Sequence, residues 1–208
     1  MADGLETELL IVRIGELLQG SLRAKASLAA LSLLFFVITA ATFTSLGVIL
    51  PAMVAELKWS WADAGLGFTL LSVACGLASY APTVAIRRFG VRPTLLAGAG
   101  VLAAGMACLY AAKTVPVYLV GASLAGVGFA LAATIPGTFV LARGFERPAT
   151  AFGVYFTIGG LGGAAGPLLA RLGVHHAWRI YWLVMAAAIV VLGVIAAFAV
   201  DKRWDEEA

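Results

Sequence analysis

The sequence predicts an all-α integral membrane protein with six transmembrane helices and both termini in the cytoplasm, and three observations carry that prediction. The chain of 208 residues is 62% apolar and only 12% charged, with a mean hydropathy of +1.00, more apolar surface than a water-soluble domain of this size can cover. The charges are gathered so that uncharged intervals are left at 26–55, 64–86, 93–112, 114–142, 148–170 and 180–200. Each reaches the roughly 20 residues a helix needs to cross about 30 Å of hydrocarbon. Within the intervals Leu, Ala, Val and Gly run continuously, without the period-two polarity of a barrel strand. The 24 glycines are compatible with membrane helices, where Gly lets neighbouring backbones approach closely.

Charge placement orients these spans, because Lys and Arg are retained in short cytoplasmic loops. With the amino terminus inside, that side holds Arg13, Arg23, Lys25, Arg87, Arg88, Arg92, Arg143, Arg147, Lys202 and Arg203. The other side holds Lys58, Lys113, Arg171 and Arg179. The basic balance, with pI near 9.1, therefore reports topology; no nucleic-acid-binding motif accompanies it. Trp59, Trp61, Tyr110, Tyr118, Trp178, Tyr181 and Trp182 fall near the outer ends of spans and are expected to form an interfacial belt. Three segments result: a cytoplasmic leader at 1–25, amphipathic or disordered, a six-span domain at 26–200 and a cytoplasmic tail at 201–208.

The loops are short, so function is expected among the helices. Ser60 and Asp63 stand at capping-box spacing ahead of the second span, which reads Asp63 as part of a helix cap. Cys75 and Cys108 lack ligand-type spacing, and adjacent His175 and His176 point apart on a helix, so neither a metal nor another cofactor is expected. No carboxylate, His or Lys lies deep in a span, and no nucleophile has a neighbouring base, which argues against an enzyme and against an intramembrane proton relay of the chain's own.

Hydroxyl and small residues with helical periodicity remain. Gly65, Thr69, Ser72, Gly76, Ser79 and Thr83 form a stripe in the second span; Ser123, Ala130, Thr134 and Thr138 share a face in the fourth, and Tyr155, Gly159, Gly162 and Gly166 one in the fifth. Such residues serve as packing seams, with Thr hydroxyls bonded back to their own helix, or line a polar cavity. By estimated depth, Thr39, Thr42, Thr134 and Tyr155 are the candidates for a substrate cavity, with Phe43 as an apolar wall beside them.

The segment GVYFTIGGLGGAAGP places Gly153, Gly162, Gly166 and Pro167 in the pattern G-x8-G-x3-G-P, and the loop RRFGVRP places Arg88, Gly90 and Arg92 in the pattern D-R-x-G-x-R. Gly126 and Gly128 in the fourth span, the Trp178-Arg179 start of the sixth, and the run Gly47, Pro51, Glu56, Trp59 and Ser60 fall in the same order. On these residues the chain resembles the amino-terminal six-span half of a major facilitator superfamily transporter, with a further likeness to monocarboxylate or oxalate/formate-type members. It departs from the family at Thr83 and Arg87, which replace the Gly and Asp of the loop signature, and at Ala170 and Arg171, where two glycines usually follow. Pro167 is expected to bend or end its helix.

The resemblance implies two six-span halves with the solute bound between them. The chain is then expected to be half of a secondary-active transporter for small organic solutes, working by alternating access with a second half, either a separate chain or a second copy in a homodimer. The alternative is a non-transport accessory or assembly subunit of a larger membrane complex. The expected setting is the lipid bilayer of a bacterial inner membrane.

Overall fold

Leu22 lies in the first helix of the computed structural model, which describes residues 22–145, 148–174 and 178–201. Helix α1 covers Leu22–Leu57, with a wider π-type turn at Ala40–Thr44, and stops where Lys58 turns left-handed at φ 55°. It is followed by α2 (Trp61–Ala78), α3 (Ala81–Phe89), α4 (Val91–Ala111), α5 (Val115–Ala132), α6 (Thr134–Gly144), α7 (Pro148–Val174) and α8 (Trp178–Ala199). Six units are long and apolar enough to cross a membrane: α1, α2, α4, α5 with α6, α7, and α8. Helix begins at least four residues before the expected boundary at residue 26; the rest of the leader, the tail beyond residue 201 and the two histidines lie outside the described residues.

Prolines set two of the interruptions. Pro136 has no N–H to give to the carbonyl four residues back, and its ring crowds that carbonyl, so the chain kinks at Ala133 between α5 and α6. Pro82, in the first turn of α3 where its missing donor is harmless, follows the break after α2. Pro167, by contrast, does not end α7, which continues to Val174. Residue 163, four back from it, is a glycine, and no side chain there adds to the crowding.

Helix α4 lies between α5 and α8, α5 is also covered by α2, and the middle and second half of α1 rest on α7. The small residues read from the sequence explain these pairings. Gly126 sits against the Leu71 carbonyl of α2, whereas Gly128 sits against the Leu102 backbone of α4, so α5 is wedged between two helices on opposite faces. The stripe Tyr155, Gly159, Gly162 and Gly166 is buried against α1: Gly162 meets the Phe36 carbonyl and Gly166 the Ala40 carbonyl. In hydrocarbon, where apolar burial gives no net gain, such close backbone contact supplies the association energy.

The expected cap at α2 forms, with the Ser60 hydroxyl accepting from the Asp63 N–H at 3.1 Å and donating to the Asp63 carboxylate at 2.6 Å. The expected aromatic belt is mostly absent as such. Trp61 is 64% and Tyr110 41% exposed, but Tyr118, Trp178, Tyr181 and Trp182 are at most 5% exposed. The polar tips of Tyr118, Trp178 and Tyr181 are used inside the bundle rather than at a lipid headgroup, whereas the Trp182 ring is packed in the core with its Nε1 unpartnered among the described residues. Tyr118, for example, donates to the Ala64 carbonyl at 2.8 Å.

Replacing Gly162 by Leu forces α1 and α7 apart and is expected to cost about 1–3 kcal/mol, the usual overpacking cost. Gly160 on the same helix faces open space, so Gly160→Leu leaves the melting temperature in detergent unchanged; equal losses for the two variants count against this packing.

Candidate solute-facing wall and its supports

Residues 39–43 of α1 hold three of the five cavity candidates, and the structure separates them. Thr39 is half-buried and its hydroxyl lies 2.7 Å from the Gly159 carbonyl of α7, with its own-helix Phe35 and Phe36 carbonyls at 2.9 and 3.0 Å. Thr42 is 1% exposed and donates to the Ile38 carbonyl at 2.8 Å. Phe43 is half-buried and meets Phe129 of α5 edge-on at 5.3 Å and Phe68 of α2 at 6.2 Å. Phe129 in turn packs on Phe35 at 6.5 Å. The apolar wall therefore spans three helices, and Phe68 and Phe129 belong to it although the sequence offered no signal that singles them out.

Tyr155 differs from its expected place on a cavity surface. It is 1% exposed, its ring stacks on Phe35 at 4.7 Å, and its hydroxyl donates to the Ala133 carbonyl at 2.7 Å. The reason is the kink that Pro136 imposes: a carbonyl displaced from the regular helix ladder needs a donor in an apolar interior, and Gly137 leaves room for the Tyr155 ring. Thr42 is enclosed for the plainer reason that back-bonding satisfies its hydroxyl. Thr134, just beyond the kink, is half-buried and makes no side-chain hydrogen bond to a described residue. The structure thus leaves Thr39, Phe43 and Thr134 partly accessible and places Thr42 and Tyr155 behind them.

The loop motif holds the end of the bundle near residue 90. Gly90 adopts φ 89°, a region that favours glycine, and this turn joins α3 to α4. Arg88 is exposed over the Phe89 ring at 5.6 Å. Arg92 reaches across to α8, donating to the Val200 carbonyl at 3.0 Å through Nε and to the Phe198 carbonyl at 3.3 Å. Ser27 of α1 donates to the Ala199 carbonyl between them at 2.7 Å. The last carbonyls of α8, which have no partner within their own helix, are thus met by a cation and a hydroxyl from two other helices, and the positive charge suits the negative end of the helix dipole. In the fifth-span motif, Gly162 and Gly166 pack on α1, whereas Gly153 is exposed and faces open space.

At the opposite end Glu56 of α1 takes an ion pair from Arg179 at 3.0 Å and a hydrogen bond from Trp178 Nε1 at 2.5 Å. Arg179 also reaches the Tyr110 and Ala112 carbonyls at 3.4 and 3.5 Å. This joins α1, α4 and α8. Among the described residues no three His, Cys, Asp or Glu side chains gather as metal ligands.

Six apolar crossings, with helix ends tied together by side chains and a half-open aromatic wall between α1, α2 and α5, define a multi-pass helical membrane protein. The family model for the Major Facilitator Superfamily matches residues 31–208. The chain belongs to that superfamily, a family of membrane transporters. No curated protein matches it.

Tyr155→Phe leaves the Ala133 carbonyl without its donor and is expected to lower stability by about 1–3 kcal/mol, read as a drop in melting temperature. Thr134→Val, which removes a hydroxyl with no partner among the described residues, is expected to leave that temperature in place.

Proposed function

We propose that this chain is one half of a secondary-active transporter for small organic solutes in a bacterial inner membrane, working by alternating access with a second six-span half, either a separate chain or a second copy. The Lys and Arg distribution supports termini that face the cytoplasm. The observation that carries this reading is the uneven cover of the crossings. The α2 and α7 segments are 17% and 22% buried, against 39–56% for the other four. Both turn small residues outward: Gly65, Thr69, Ser72 and Gly76 on α2, and Gly153, Thr157, Gly160 and Ala164 on α7. Lipid tails do not call for such faces, whereas a second helix bundle does. On the same helices Leu77 and Leu168, 82% and 65% exposed, supply bulk suited to lipid.

The solute would lie between the halves against Thr39, Phe43 and Thr134, with Thr42 and Tyr155 setting the shape of that wall from behind. No described Asp, Glu, Lys or His is buried, so charged groups for coupling would come from the other half.

Cysteines placed at Gly76 and Gly160, in a chain freed of Cys75 and Cys108, are expected to cross-link in native membranes to a six-span partner, a second copy included. Gly76→Leu with Gly160→Leu abolishes that assembly without unfolding the chain. Cross-linking only to a large unrelated complex would favour an accessory subunit and overturn the reading.

A further inference from the structure

The widened turn Ala40–Thr44 sits midway along α1 and is enclosed on two sides. On one side Gly166 of α7 lies against the Ala40 carbonyl and the Thr44 hydroxyl. On the other, Tyr181 of α8 places its hydroxyl 2.5 Å from Ser45 Oγ and 3.3 Å from the Ala40 carbonyl, and Ser45 Oγ itself donates to that carbonyl. A tyrosine hydroxyl has one proton. Given to Ser45, it leaves the serine proton for Ala40, so the three groups form a directed chain from α8 to the α1 backbone. Ser45 is fully buried and Tyr181 is 5% exposed, so no water replaces either donor.

We infer that Tyr181 is a positioning residue: through Ser45 it holds α1 in its widened form, and so sets the rotation at which Thr39 and Phe43 meet the wall described above. A π-type turn inserts roughly one residue into the helix, so relaxing it to regular α-helix turns the half of α1 beyond it by about 100° relative to the half before, one residue's share of a turn. Phe43 lies within the turn and Gly47 beyond it, facing open space. The importance of the wall rests on the proposed transport role; the latch itself does not.

The test uses the full chain in lipid nanodiscs, without any solute, so that its outcome is independent of transport. In Tyr181→Phe, amide hydrogen exchange of residues 40–46 is expected to rise about tenfold, the effect of losing one hydrogen bond, with α4 and α5 unchanged. The labelling rate of a cysteine at Gly47, with Cys75 and Cys108 replaced, is expected to shift with it. Ser45→Ala, measured in parallel, is expected to give the same pattern, and the double variant no more than either single one. Exchange at 40–46 that stays as in the parent in both variants, or rises evenly over all helices, overturns the inference.

Discussion

Within hydrocarbon no water is present to take up a displaced peptide group, so every departure from a regular helix must find its partner inside the protein. That constraint organises this bundle. At the widened turn of α1, the Ala40 carbonyl is met by Ser45, whose hydroxyl in turn accepts from Tyr181 of α8. At the Ala133 kink, Tyr155 supplies the donor. At the end of α8, Arg92 and Ser27 serve three successive carbonyls. In each case a donor comes from a different helix, so the irregularities that weaken single helices specify which helices stand together.

Small residues provide the second layer of specification, and α7 shows how. One of its faces, Gly159, Gly162 and Gly166, is pressed onto α1, where a Cβ would collide with backbone or ring atoms. The other, Gly153, Thr157, Gly160 and Ala164, is exposed. A helix small on two sides can pack closely on both; the first of these faces is filled by α1, and the second is exposed among the described residues.

The six crossings, the Ser60 cap and the buried face of α7 were legible in the sequence because each depends on local periodicity or spacing along the chain. The placements of Tyr155, Tyr181 and Trp178 were not. An aromatic residue with a polar tip reads from sequence as an interfacial anchor, as a cavity residue or as a long-range donor, and the choice depends on an acceptor more than 20 residues away. Arg92 posed the same difficulty: its motif spacing marked it, yet its partners, the carbonyls of Phe198 and Val200, are distant in sequence. Glu56 was read only as part of a family-like run, and its partner at residue 179 lies beyond any local pattern. Depth along a span, the basis for choosing Thr42, says nothing of whether the hydroxyl faces a cavity or its own helix.

The capping of α8 also bears on the order in which the bundle is completed. Chains are made from the amino terminus onward and membrane segments emerge in sequence. Ser27 and Arg92 are therefore already in place, and waiting without their final acceptors, when the carbonyls of Phe198, Ala199 and Val200 are synthesised. The sixth span closes these contacts with the first and third only once residues 198–200 have been made, so this end of the described bundle is joined later than the contacts among the earlier spans.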